Sequence, residues 1–133
     1  MAIVDGRGTP YAVTIDSASR AEVHLVEQTL EARFADPVPA RLIGDKAYDS
    51  DHHDRLLRDE WCCELIAPHR SNRKHQTQDG RPLRRYKRRW RVERFFAWLL
   101  SFRRVAIRWE HRADNYLGLV QLACVLILLR RAL

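Results

Sequence analysis

The chain has 133 residues, 46% hydrophobic and 31% charged, with five Gly and five Pro, the make-up of one globular domain able to bury a core. Its formal charge of +7 hides a polarity, because residues 1–67 carry 7 Lys/Arg against 13 Asp/Glu whereas 68–133 carry 17 against 4. The basic half suits a polyanion, nucleic acid above all, while three cysteines, two of them adjacent, exclude a disulfide framework and suit a reducing compartment.

Ala2-Ile3-Val4 and Tyr11-Ala12-Val13-Thr14-Ile15 flank Asp5-Gly6-Arg7-Gly8-Thr9-Pro10, which predicts a β-hairpin with a short Gly-containing loop. That opening has no signal-peptide pattern. Ser19 followed by Glu22 reads as a capping box. The helix it opens places Val23, Val26, Leu30 and Phe34 on one face, and Asp36-Pro37-Val38-Pro39 stops it. Arg41-Leu42-Ile43-Gly44 predicts a short strand ending at Asp45, then a loop through Asp51, with Ser50 or Asp51 capping a helix to about Asp59. Cys63 to Ala67 is a further strand, and Pro68 to Pro82 reads as an exposed polar loop. A long helix follows from about Leu83 to Phe102. After a break at Arg103–Trp109 the last helix runs from about Asp114 to Arg130. Its apolar run, Tyr116 to Leu129, is short for a bilayer span, so it is expected to be a well-buried core helix. The order predicts a mixed α/β domain with an antiparallel hairpin and parallel strands joined by helices. With no targeting or membrane segment expected, the compartment expected is the cytoplasm.

The candidate chemistry lies on two stretches. Asp45 ends an apolar strand, where functional carboxylates of α/β folds commonly sit; the same position suits an ordinary turn or cap aspartate. Asp49, Asp51 and Asp54 lack the turn Gly and terminal Glu of a calcium loop and read as capping and solvated residues. Eight Lys/Arg fall between Arg81 and Arg94, and Glu93 is the only acid between Asp79 and Glu110. On one helix Tyr86, Arg89 and Glu93 would share a face. Glu93 is then either the i,i+4 partner of Arg89 or a metal ligand. Arg84, Arg85, Lys87, Arg88 and Arg89, laced with aromatics, read as contacts to a phosphate backbone. His52-His53, Cys62-Cys63, His69 and His75 lack zinc-ligand spacing, and no Gly-rich phosphate loop or nucleophile elbow occurs.

Leu42-Ile43-Gly44-Asp45-Lys46-Ala47-Tyr48-Asp49 and Arg85 to Leu99 resemble the DDE transposases of bacterial insertion sequences, nearest the insertion sequence five group. Ala67-Pro68-His69-Arg70, Thr77-Gln78-Asp79-Gly80 and Phe102-Arg103-Arg104 fit the same pattern. The resemblance implies a ribonuclease-H-like mixed sheet with flanking helices and an Asp, Asp, Glu triad holding two divalent metals, Mg²⁺ or Mn²⁺. Asp45 matches the second Asp and Glu93 the Glu. Tyr86, Arg89 and Glu93 match the family's Tyr-Arg-Glu spacing, whose later Lys is Leu100 here, and the resemblance implies that Tyr86 and Arg89 orient the carboxylate or contact DNA. The resemblance also implies that residues 1–133 form a partial catalytic domain, a C-terminal portion without the first Asp and its strand; Asp5 sits at a hairpin turn instead.

The expected function is thus DNA transposition, by cutting and joining phosphodiesters at transposon ends and target, in a bacterial, nucleoid-associated setting. The chain by itself is expected to be inactive or nearly so, with the remaining N-terminal part or another transposase chain as partner. The competing expectations are a non-catalytic basic nucleic-acid-binding remnant and a chain that does not fold stably alone.

Overall fold

A computed structural model describes residues 1–17, 19–75 and 82–132; Thr77-Gln78-Asp79-Gly80 and Arg81 lie outside them. The elements follow the expected order, with a short α-helix over Arg103–Ala106 where only a break is expected. β1 (Ala2–Val4) and β2 (Pro10–Val13) form the hairpin, with Ala2 opposite Val13 and Ile3 opposite Ala12. Its turn is built from local polar bonds: Asp5 Oδ1 accepts the N–H groups of Arg7 and Thr9, each at 2.8 Å. Gly8 supplies the left-handed residue at φ 80°.

Strand alternation gives the hairpin two apolar faces. Ala2, Val4 and Val13 face a cluster of Phe95, Leu99, Val105, Val120, Ala123, Cys124 and Ile127. Ile3 and Ala12 face Val26, Leu30, Leu57 and Leu65. The hairpin is therefore the middle layer of the domain, between α3 (Trp90–Leu99), α4 (Arg103–Ala106) and α5 (Ala113–Ala132) on one side and α1 (Val26–Glu31) and α2 (Asp51–Trp61) on the other. Phe95, fully buried, contributes about 2–3 kcal/mol of apolar transfer at this junction.

β3 (Arg41–Ile43) and β4 (Glu64–Ile66) run parallel, Leu42 opposite Leu65, and α2 is their crossover. Ser50 caps α2 by accepting the His53 N–H at 3.5 Å. The helix ends where Cys62 turns left-handed at φ 50°. Cys63 then turns inward, and burial pushes its thiol up to about 11.

Four expectations are corrected. Ser19 and Glu22 form no capping box: Ala21 stands at the cap position, a 3-10 turn over Glu22–Leu25 leads into α1, and the Ser19 hydroxyl binds Ser17 instead. α1 stops at Glu31, so Phe34 lies beyond the helix and is exposed; its N–H bonds Tyr11 O at the hairpin edge. The helix expected from Leu83 to Phe102 is two pieces, a 3-10 helix over Pro82–Arg88 and then α3. Cations spaced three and four apart repel on an α-helix, and Arg84, Arg85, Lys87 and Arg88 have little apolar partnership to offset that. Finally, α5 is not buried all round: Val120, Ala123, Cys124 and Ile127 face the core, whereas Leu122, Val125, Leu126 and Leu129 are exposed. By length and composition α5 would be able to cross a membrane, but its buried face packs on α3, α4 and β2.

Candidate active site

Asp45 is the first residue past the ladder of β3, where Gly44 N–H still bonds Ile66 O at 3.0 Å. Its backbone is extended, and its Oδ1 accepts the Ala47 N–H at 2.8 Å, capping a 3-10 turn over Lys46–Tyr48. The cap-aspartate reading is thus correct for one oxygen. The other, Oδ2, faces Arg89 Nη1 at 3.7 Å.

Arg89 is the joint of the site. It lies between the 3-10 segment and α3, and its Nη2 donates to Glu93 Oε1 at 3.0 Å. One guanidinium therefore holds both sequence-predicted carboxylates, Asp45 from the strand end and Glu93 from the first turn of α3. That turn favours an acid through the helix dipole. Tyr86 lies under the same group, its ring centroid 5.6 Å from Arg89 Cζ. In a 3-10 helix residues three apart eclipse, so the break in the helix brings Tyr86 to Arg89. The hydrogen bond to Glu93, with Tyr86 and Asp45 assisting, raises the pKa of Arg89 above its ordinary value. The i,i+4 ion pair is real, and it extends to a third partner that spacing alone would not reveal.

The other predicted cations, Arg84, Arg85, Lys87 and Arg88, are exposed along the 3-10 segment. Among the described residues no group of three or more His, Cys, Asp or Glu is arranged so that it could hold a metal ion. Asp45 and Glu93 are the pair of oxygen donors that Arg89 brings together.

Behind Asp45 lies a network that sequence reasoning missed. Asp49, expected to be solvated, has a side chain only 2% exposed. It accepts from the Arg70 N–H at 2.8 Å and from the Arg73 guanidinium, and it pairs with His69 Nδ1 at 3.0 Å. Burial pushes its carboxyl up, but Arg70, His69 and Arg73 outweigh that and leave it below the usual range. Arg70 in turn donates to Lys46 O at 3.2 Å and Ala47 O at 2.9 Å, so the loop after β4 clamps the turn that carries Asp45. The motif Ala67-Pro68-His69-Arg70 was the only signal of it. Tyr48 closes the turn: its ring lies where a Cβ on Gly44 would stand, 2.9 Å from Cγ, and its hydroxyl donates to Glu22 at 3.0 Å.

Asp5 stays a turn residue, with Oδ1 spent on its own hairpin. His53 is buried beside the rings of His24 and His52, at centroid distances of 5.3 and 5.2 Å.

The family described as "Transposase DDE domain" matches residues 1–128. A Burkholderia cepacia protein named as a transposase for insertion sequence element IS402 is 36% identical over 143 residues, covering 98% of this chain and 63% of its own length. A Brucella ovis protein named as a transposase for insertion sequence element IS6501 is 34% identical over 89 residues, 67% of each chain. The chain thus spans about two thirds of the length of these relatives. No solved structure matches it.

Proposed function

The chain belongs to the transposase DDE domain family, and from that premise we propose that it acts in DNA transposition, with Asp45 and Glu93 as two ligands of a divalent-metal site that cuts and joins DNA phosphodiesters. The observation that carries this reading is the single guanidinium of Arg89 facing Asp45 at 3.7 Å and bonded to Glu93 at 3.0 Å. Two carboxylates drawn from distant elements onto a basic surface suit such a site. Their oxygens fit a hard cation such as Mg²⁺ or Mn²⁺. When bound, such an ion polarises the phosphate and activates the attacking oxygen.

The chain's own groups do the rest. Arg89 orients both carboxylates, and Tyr86 supports Arg89 from below. Arg84, Arg85, Lys87 and Arg88 hold the phosphate backbone, which confers affinity without base specificity. We read the α/β arrangement as ribonuclease-H-like and, on the Tyr86, Arg89 and Glu93 spacing, place the chain nearest the insertion sequence five group, acting in the bacterial cytoplasm on transposon ends and target DNA.

A second reading, DNA binding without catalysis, draws on the same site, since among the described residues Arg89 gathers two carboxylates where the family's triad has three. Mn²⁺ titration followed by electron paramagnetic resonance separates the two. The metal reading expects Asp45→Asn and Glu93→Gln each to weaken Mn²⁺ binding about tenfold or more, and Glu93→Gln to abolish any Mg²⁺- or Mn²⁺-dependent strand cleavage. Equal Mn²⁺ binding by wild type and both variants, with DNA binding retained, would leave the non-catalytic reading standing.

A further inference from the structure

Beside the Asp45–Glu93 site, α3 carries a second constellation that the reading above does not use. Arg94 Cζ lies 4.6 Å from the ring centroid of Trp90 and 4.8 Å from that of Trp98, so its guanidinium is held between two indoles. Arg131, from the end of α5, stacks on Trp98 at 5.0 Å, and Arg91 approaches Trp90 at 5.8 Å. Arg94 and Arg131 then converge on one acceptor, the carbonyl oxygen of Arg7 in the hairpin turn, at 2.9 and 2.8 Å. Gly8 is shaped to this assembly, since a Cβ there would stand 3.2 Å from Arg94 Nη2.

Tying the hairpin to α3 and α5 accounts for two hydrogen bonds from guanidinium groups to one uncharged carbonyl. It does not account for the charge. Arg7, Arg91, Arg94 and Arg131 are brought together from three elements, and none of them is ion-paired with a carboxylate among the described residues. Arg94 Nε is buried without a hydrogen-bond partner. Arg7 is exposed, and its side chain is not needed to hold the turn, which uses its backbone. Trp90 is 48% exposed beside these cations. Like charges gathered without counter-charge oppose the compact state unless an anion offsets them, and cation–π contacts preorganise them meanwhile. Arg94 is one residue past Glu93, about 100° round α3, so the patch flanks the proposed metal site.

We propose that Arg7, Arg91, Arg94 and Arg131, floored by Trp90 and Trp98, form a second phosphate-binding patch that grips the DNA backbone alongside Asp45 and Glu93. This rests on the reading of the chain as acting on DNA.

The test is metal-free binding of the full chain to a short duplex, by fluorescence anisotropy between 50 and 200 mM salt. The doubly substituted Arg7→Gln/Arg91→Gln protein removes two charges whose side chains hold no structural hydrogen bond. Its slope of log affinity against log salt is expected to flatten by about 0.9 per lost contact. Arg7→Lys/Arg91→Lys is expected to keep the wild-type slope, and Trp90→Phe to lose a DNA-induced change in indole fluorescence. An unchanged slope in the Gln protein, with Arg84→Gln/Lys87→Gln alone flattening it, would overturn the patch and leave DNA binding intact. Absence of salt-dependent DNA binding by wild type, or binding only to anionic phospholipid vesicles, would overturn the patch and the DNA reading together.

Discussion

Replacing Asp49 by Ala tests whether the clamp behind Asp45 is a structural necessity. The carboxylate is 2% exposed and serves three donors: the Arg70 N–H, His69 and the Arg73 guanidinium. Removing one partner of a buried charge network costs about 3–5 kcal/mol where the charges left behind cannot reach water. Here the side chains of Arg73 and His69 are 15% and 12% exposed, and Arg73 keeps Asp51, so the cost falls somewhat below that range, at about 2–3 kcal/mol. In urea that is a midpoint shift of roughly 1–2 M at unchanged slope. Asp49→Asn, which keeps an acceptor but loses the charge, should fall between. The pH dependence has a definite sign: the folded carboxyl titrates below its ordinary 3.8, so its contribution is complete above that pH and is lost as pH falls through the lower folded value. Wild type and Asp49→Ala should therefore converge in stability as pH falls below 3.8 and through the lower folded value. Equal stability of the two at pH 7, within about 0.5 kcal/mol, would refute the clamp, because surface changes alone fall in that range.

Two further outcomes follow from the same geometry. Gly44→Ala must push the Tyr48 ring away from a Cβ 2.9–3.0 Å off its carbons, so it should destabilise by about 1–3 kcal/mol in chemical denaturation; a net gain would mean that the ring yields freely. His53 is buried beside His24 and His52, and burial first, then those two rings, lowers its pKa below 6.5. The folded state thus favours the neutral ring, and stability should fall as pH drops from 7 through 6.5 toward 5. His53→Gln should flatten that dependence in melting curves, and an unaltered dependence would assign it elsewhere.

The family resemblance rested on short motifs. Asp45, Glu93, Tyr86 and Arg89 stood out because each lies in a local pattern: a strand end, a lone acid in a basic run, a fixed spacing. The hairpin, the crossover helix and the element order were legible for the same reason. Alternation and capping are rules about neighbours within a few residues. Where two local rules competed, the sequence was a poor guide. Helix periodicity continued through Leu83–Phe102, yet repulsion among successive cations and the packing of α3 alone divided it at Arg89.

Tertiary structure decided what depends on partners far along the chain. Arg89 meets Asp45 across 44 positions, and Asp49 is buried only because the loop at 69–73 folds over it. The apolar run of α5 predicted burial, but a helix of that kind is buried only where other elements cover it, and here one face is covered. Arg131 reaches the hairpin turn across 124 positions. Sequence determined which side chains were available and which local elements would present them. Which charges stand beside which was settled by packing, because electrostatic neighbours are set by distance in space and not by distance along the chain.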